Sequence, residues 1–237
     1  MGETKEFSTF EYTDSLKKMA ADHAAKFLRS GMTLGIGSGT TTRFLIDRIA
    51  SMVKKGLKIC VVATSNDTET LARKLGITVV DINDVSGIDL FIDGVDEIDR
   101  NFNATKGGGG TLLREKILAS LAKEVVWILD DSKYVNQLGA VPLPVEVVPY
   151  GYQVTFAQLS MCGFNPVMRM RKGELFVTDN GNYIADLHLE MPVDVMSVRD
   201  MLSMIAGVVA TGQFLKMCDC IVMGTSEGVR VIEKKYF

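Results

Sequence analysis

The chain has 237 residues, 47% of them hydrophobic and 23% charged, which is room for one large domain or two modest ones of about 100 to 200 residues. That balance excludes a disordered chain. With 26 basic against 29 acidic residues the formal net charge is -3. No general cationic field is available for nucleic acid or an anionic membrane surface, so any anion has to be bound locally.

The first segment, Met1 to Phe10, carries Glu3, Lys5 and Glu6, so it is expected to be a leader without a secretory signal. Gly2 would suit myristoylation only if Ser or Thr stood where Glu6 stands. Leu16, Met19, Ala20, His23, Ala24 and Phe27 recur at helical spacing up to Arg29-Ser30-Gly31. Met32 to Ile36 then predicts a strand that breaks into Gly37-Ser38-Gly39, after which Phe44, Leu45, Ile49 and Val53 restore the helical period. Further strands are expected at Leu57–Ala63, Ile77–Val80, Ile88–Ile92 and Val125–Leu129, with helices at Glu69–Leu75 and Leu112–Leu121. Strands alternating with helices imply right-handed crossovers and a mostly parallel, doubly wound, Rossmann-like sheet.

Three of the five prolines, Pro142, Pro144 and Pro149, then fall close together, as at a domain boundary or hinge. Beyond them the pattern predicts a helix at Tyr152–Met161 and strands at Val167–Arg171, Leu175–Thr178 and Tyr183–Leu189, joined by short turns and so antiparallel. A helix at Val195–Ile205 and a strand at Val208–Leu215 complete a small α+β unit of the split βαβ, ferredoxin-like type. Cys220–Met223 and Val229–Ile232 are expected to rejoin the first sheet. The longest uncharged stretch of this half, Met201 to Leu215, is shorter than the roughly 20 residues that span a bilayer. Cys60, Cys162, Cys218 and Cys220 read as reduced thiols of a cytoplasmic protein, with Cys218 and Cys220 buried on one face of a strand over Met217 to Met223 and too close together to bridge.

Three loops concentrate chemistry. Gly35-Ile36-Gly37-Ser38-Gly39-Thr40-Thr41-Thr42 lies between a strand and a helix, where free amides and the helix dipole attract an anion; a tight turn that merely uses glycine is the other reading. Thr40 replaces the third glycine of a dinucleotide fingerprint, and no Gly-Lys-Ser/Thr closes a Walker loop, so a small phosphate monoester fits better than NAD or a nucleoside triphosphate. Asp93-Gly94-Val95-Asp96-Glu97-Ile98-Asp99 follows an apolar strand, so its carboxylates either meet sugar hydroxyls at the carboxyl edge of the sheet or form a solvated turn. Lys106-Gly107-Gly108-Gly109-Gly110 spends much conformational entropy unless the backbone must approach a ligand closely; a flexible linker is the alternative. Glu115 in the helix that follows is unremarkable alone. It gains weight because His23 and His188 are the only histidines and both fall inside structural patterns, which leaves a carboxylate as the general base.

Taken in order, Gly35 to Thr41, Asp93 to Ile98, Lys106 to Lys116 and Asp131 to Lys133 resemble ribose-5-phosphate isomerase type A, and the resemblance runs from about Leu16 to Ile232. It implies an aldose-ketose isomerase that interconverts D-ribose 5-phosphate and D-ribulose 5-phosphate through an enediolate, in the non-oxidative pentose phosphate pathway. It implies Glu115 as the base and Lys106 as the stabiliser of the enediolate oxygen. Asp93 and Asp96 would orient hydroxyls and assist ring opening. Substrate contacts would come from Lys17, Ser38, Gly39, Thr40, Thr41, Gly94, Gly107, Gly108, Gly109 and Lys133. Neither metal nor organic cofactor is implied, and the partners would be the sugar phosphate and further copies in a homodimer or homotetramer. Residues 1–140 and 216–237 would form the catalytic Rossmann-like domain, and 141–215 a smaller lid or interface domain. Ser38 stands where the family more often has Thr, Ala206 where it has Pro, and Gln213 where it has Leu. Two other readings are a non-catalytic sugar-phosphate sensor and an acyl or coenzyme A transferase. Met1 to Thr13 is too short for the DNA-binding unit of the first, and Lys106 with Asp93 and Asp96 favours a polyol over the second.

Overall fold

In Phe91-Ile92 and in Val125 to Leu129, consecutive apolar residues enter opposite hydrophobic clusters: Ile92, Val126 and Ile128 go to one, Phe91, Val125, Trp127 and Leu129 to the other. Only strands covered on both faces bury residues in this way. The computed structural model describes residues 9–190 and 193–234, so the readings made on Gly2 and Glu6 lie outside the described residues. In chain order the elements are α1 (Thr9–Ala24), β1 (Thr33–Ile36), α2 (Thr40–Lys54), β2 (Cys60–Ala63), α3 (Asn66–Lys74), β3 (Leu90–Gly94), β4 (Glu97–Ile98) and β5 (Ala104–Thr105). There follow α4 (Leu112–Leu121), β6 (Val125–Asp130), β7 (Leu143–Val147), α5 (Tyr152–Met161), β8 (Pro166–Met168), β9 (Met170–Arg171), β10 (Glu174–Leu175) and β11 (Tyr183–Leu187). The last are α6 (Val195–Ser203), β12 (Val208–Thr211), β13 (Gln213–Phe214), β14 (Cys220–Thr225) and β15 (Gly228–Glu233).

The central sheet runs β15-β14-β6-β3-β1-β2. Its pairs are parallel except for the β14–β15 hairpin at the edge. One face is covered through Ala20 of α1 with Leu45 and Ile49 of α2, the other through Leu112 and Leu118 of α4. The chain steps from β1 outward to β2 and then places β3 on the other side of β1. Strand order therefore reverses between β1 and β3, and the crevice beyond their carboxyl ends is where such sheets bind ligands.

A second sheet, β12-β7-β11-β8, is antiparallel. With α5 after β7 and α6 after β11, it is the split βαβ arrangement. Its core is separate, built around Leu143, Val145, Leu159, Leu187 and Leu202. A small sheet, β13-β5-β4, ties the two together.

Several elements differ from expectation. The Pro142–Pro149 segment contains β7, an interior strand of the second sheet. Pro144 has no amide to give there, but its carbonyl accepts the Gly212 amide at 2.6 Å. The single strand expected over Val208–Leu215 is two, β12 and β13, divided at Gly212. Ile77–Val80 contributes only one parallel bridge, Val79 to Val61. Cys218 precedes β14 rather than lying within it; both it and Cys220 are buried, and all four cysteines are free thiols.

Candidate active site

Gly37 continues β1, donating its amide to Ile92 O at 3.0 Å, and a Cβ on it would fall 1.7 Å from the Asp93 carboxyl. That glycine makes room for Asp93, the fourth residue of β3. Asp93 is fully buried. Its Oδ1 accepts the Ser38 amide at 3.1 Å, the Gly94 amide at 2.7 Å and the Thr42 hydroxyl at 3.2 Å. Its Oδ2 accepts Lys106 Nζ at 2.7 Å.

Lys106 follows β5, and its backbone amide is held by Gly212 O at 2.8 Å. Its side chain, 3% exposed, donates also to Gly94 O at 2.6 Å and lies 3.2 Å from Glu115 Oε2. The Trp127 and Phe214 rings stand 5.2 and 5.4 Å from Nζ, a cation–π setting. Burial alone would make this amine less basic, but Asp93 and then Glu115 outweigh it and hold the ammonium above the ordinary lysine range. Two carboxylates thus share one cation. Burial, then the charge of Glu115, pushes Asp93 up to about 7, with Lys106 opposing.

Glu115 lies on the inner face of α4, 3% exposed. Its Oε1 accepts the Thr111 hydroxyl at 2.6 Å. Its Oε2 has the Lys106 charge beside it but no hydrogen-bond partner. Asp96 Oδ2 accepts the Gly108 amide at 2.8 Å, which fixes the glycine loop across the cleft mouth. Gly39 is the residue before α2; the amides of Thr40 and Thr41 open that helix, and helix starts leave such donors free for an anion.

These groups line one cleft. Lys17, Ser38, Gly39, Thr40, Thr41, Gly94, Asp96, Lys106, Gly107, Gly108, Gly109, Glu115 and Lys133 all border it. Asp93 alone of the expected site residues does not. It sits beneath the floor, its oxygens occupied by the bonds above. The Ser38 hydroxyl is likewise engaged with Thr64 Oγ1 at 2.9 Å and Ser65 Oγ at 3.0 Å, and Lys17 is paired with Asp14 at 3.3 Å.

The sequence reading missed three contributors. Thr111 and Asp130 also border the cleft. Arg169, just after β8, donates to Gly107 O at 2.8 Å and Gly108 O at 3.0 Å while paired with Asp186, so the second sheet supports the glycine loop from behind. Thr111 carried a local signal, a Thr just before a helix. Arg169 carried none, because the loop carbonyls it holds are some sixty residues distant in sequence.

A family model described as Ribose 5-phosphate isomerase A (phosphoriboisomerase A) matches residues 60–228. The chain belongs to that family. Ribose-5-phosphate isomerase A of Limosilactobacillus reuteri (strain DSM 20016) is 44% identical over 224 residues, 94% of this chain and 99% of its own. Among solved structures, ribose 5-phosphate isomerase from Plasmodium falciparum matches with a TM-score of 0.90 at 39% identity, covering 94% of this chain and 100% of that one. A D-ribose-5-phosphate isomerase in complex with phospho-erythronic acid matches with a TM-score of 0.90 at 33% identity, over 94% and 99% of the two chains. The Rossmann-like α/β fold with its smaller α+β unit is the fold of these isomerases. Among the described residues no helix is long and apolar enough to cross a membrane.

Proposed function

We propose that the chain interconverts D-ribose 5-phosphate and D-ribulose 5-phosphate, with Glu115 moving the proton and Lys106 stabilising the charge that results. The observation that carries this reading is the buried contact of 3.2 Å between Glu115 Oε2 and Lys106 Nζ at the wall of the cleft.

The phosphate would bind the Thr40 and Thr41 amides and hydroxyls at the start of α2, with Lys17 and Lys133 adding charge. A solved relative is in complex with phospho-erythronic acid, which supports a phosphorylated polyol as the substrate class. That ligand joins a phosphate and a polyol chain to a planar anionic end, the same three features an enediolate phosphate offers. Asp96 would orient sugar hydroxyls and assist ring opening. Asp93, placed below, would act through Lys106 and the Gly94 amide rather than by touching substrate.

In the open-chain aldose, Glu115 takes the proton from C2. The C–H electron pair forms the C1–C2 double bond, and the carbonyl π pair moves onto O1. Negative charge therefore leaves the glutamate as it arrives on the sugar oxygen, and the Lys106 N–H not given to Asp93 or Gly94 O can point to that oxygen. A donor already in place and shielded from water costs little reorganisation when the charge develops. Glu115 then returns its proton to C1, and the hydroxyl proton passes from O2 to O1, giving the ketose. The glycine loop and the second sheet behind it would keep water from the enediolate.

Incubation with ribose 5-phosphate in the presence of a chelator should yield ribulose 5-phosphate; no conversion, or a requirement for metal, would overturn the reading. A cytoplasmic setting and a homodimer or homotetramer belong to the same proposal. Exposed Tyr150, Val154, Met161 and Met204 on the second unit support burial against another copy. Light scattering that gives a monomer mass would count against it.

A further inference from the structure

Thr111 immediately precedes α4, where a threonine hydroxyl ordinarily accepts a hydrogen bond from the helix amides, yet its side chain makes no such cap. The hydroxyl instead donates to Glu115 Oε1 at 2.6 Å. One carboxylate oxygen is thereby tied down. The other, Oε2, is buried, lies beside Lys106 and accepts no hydrogen bond.

That asymmetry matters because a free carboxylate has two equivalent oxygens that exchange by rotation. To carry a proton between neighbouring carbons on one face of a sugar, the same oxygen should take it and give it back, and that oxygen should stay next to the cation stabilising the intermediate. We propose that Thr111 is a positioning residue of the isomerisation: its hydroxyl fixes Oε1 of Glu115, so that Oε2, facing Lys106, is the oxygen that moves the proton. The assignment rests on the reading of Glu115 as the base. It explains why a helix-capping residue leaves its helix uncapped, and why one oxygen of a buried carboxylate has no hydrogen-bond donor. Oε2 is kept for the substrate proton.

The test compares Thr111→Val, which keeps the shape and removes the donor, with Thr111→Ser, which keeps the donor. Because misplacing a catalytic group by about 1 Å can cost roughly a hundredfold, a carboxylate freed to rotate should lose about tenfold in kcat, with KM within about twofold of the parent. The primary isotope effect with ribose 5-phosphate deuterated at C2 should rise as proton transfer becomes more fully rate-limiting. Thr111→Ser should restore kcat and the isotope effect. Parental kcat and isotope effect in Thr111→Val would overturn the assignment, as would equal losses in Thr111→Ser and Thr111→Val. Should Thr111→Val not fold, Thr111→Ala carries the same expectations. Glu115→Gln separates the two levels. If it is inactive while Thr111→Val behaves as the parent, only the role of Thr111 fails; if it is fully active, both readings fall.

Discussion

Lys106 is buried between two carboxylates and two aromatic rings, and each surrounding group predicts something measurable. Removing one partner of a buried ion pair strands the other charge and typically costs about 3–5 kcal/mol. Lys106→Ala should therefore melt lower than the parent and, where folded, lose about a hundredfold or more in kcat, as loss of an oxyanion donor does, while KM changes far less. Equal losses in kcat and in substrate binding would make Lys106 a simple anchor. Asp93 predicts a pH dependence. Its folded value of about 7 lies above the ordinary carboxylate value of 3.8, so between them the folded state binds the extra proton, and stability declines as pH rises through that window. Compared with Asp93→Asn, the parent should lose stability from about pH 4 to about pH 7; parallel denaturation curves across that range would contradict the assignment. Residues carried by a short motif were legible from sequence by position: Lys106, Gly107, Gly108, Gly109 and Asp96 all border the cleft. The burial of Asp93 below the floor was not, because it depends on Gly37, which lies more than fifty residues away in sequence. Nor was the Thr111 bond, since a threonine before a helix looks the same whether it caps that helix or not.

The elements were most legible where both faces of a strand are apolar. Val125–Leu129 stood out as a continuous run for that reason, and β6 covers it; Ile88–Ile92, interrupted by Asp89, overlaps β3 only from Leu90 to Ile92. β4 and β5, two residues each, are too short to show any period. β7 was hidden by Pro144 within it and Pro142 and Pro149 beside it, a signal of strand edges and boundaries that tertiary packing overrides here. The break between β12 and β13 has a steric cause. Gly212 passes so close to the loop that a Cβ would lie 2.3 Å from Lys106 O and 2.8 Å from Pro144 Cδ. A strand with a side chain at that point would have to move away from β5, and with it the backbone of Lys106. Gly212→Ala should therefore lower the melting temperature by several degrees, an overpacking cost of about 1–3 kcal/mol, and reduce kcat as well. A variant with parental melting and kcat would show that β13 does not set the position of Lys106.

At the scale of the molecule, we propose the division into residues 1–140 with 216–237 and residues 141–215. It is supported by the separate core around Leu159 and Leu202. The contacts that cross it bear on how the cleft is covered. Arg169 holds two carbonyls of the glycine loop. Arg114, next to Glu115 on α4, donates to Asn180 Oδ1 and Asn66 Oδ1 at 2.9 Å each and to Asp179 O at 3.0 Å. Asp179 Oδ2 in turn accepts the Asn66 amide at 2.8 Å. Two arginines and a shared sheet, β13-β5-β4, favour a fixed wall over a freely hinged cover. Structures with and without a sugar phosphate should accordingly differ little in the angle between the two units; a rotation that breaks the Arg114 and Arg169 contacts would restore the lid expected from sequence.

The proposed proton transfer depends on a carboxylate at position 115. The most direct measurement is the rate at which Glu115→Gln converts ribose 5-phosphate to ribulose 5-phosphate, with folding verified by its melting curve. Loss of a positioned base predicts a fall in kcat of about 100- to 10,000-fold with substrate still bound; turnover at the parental rate would contradict the mechanism outright.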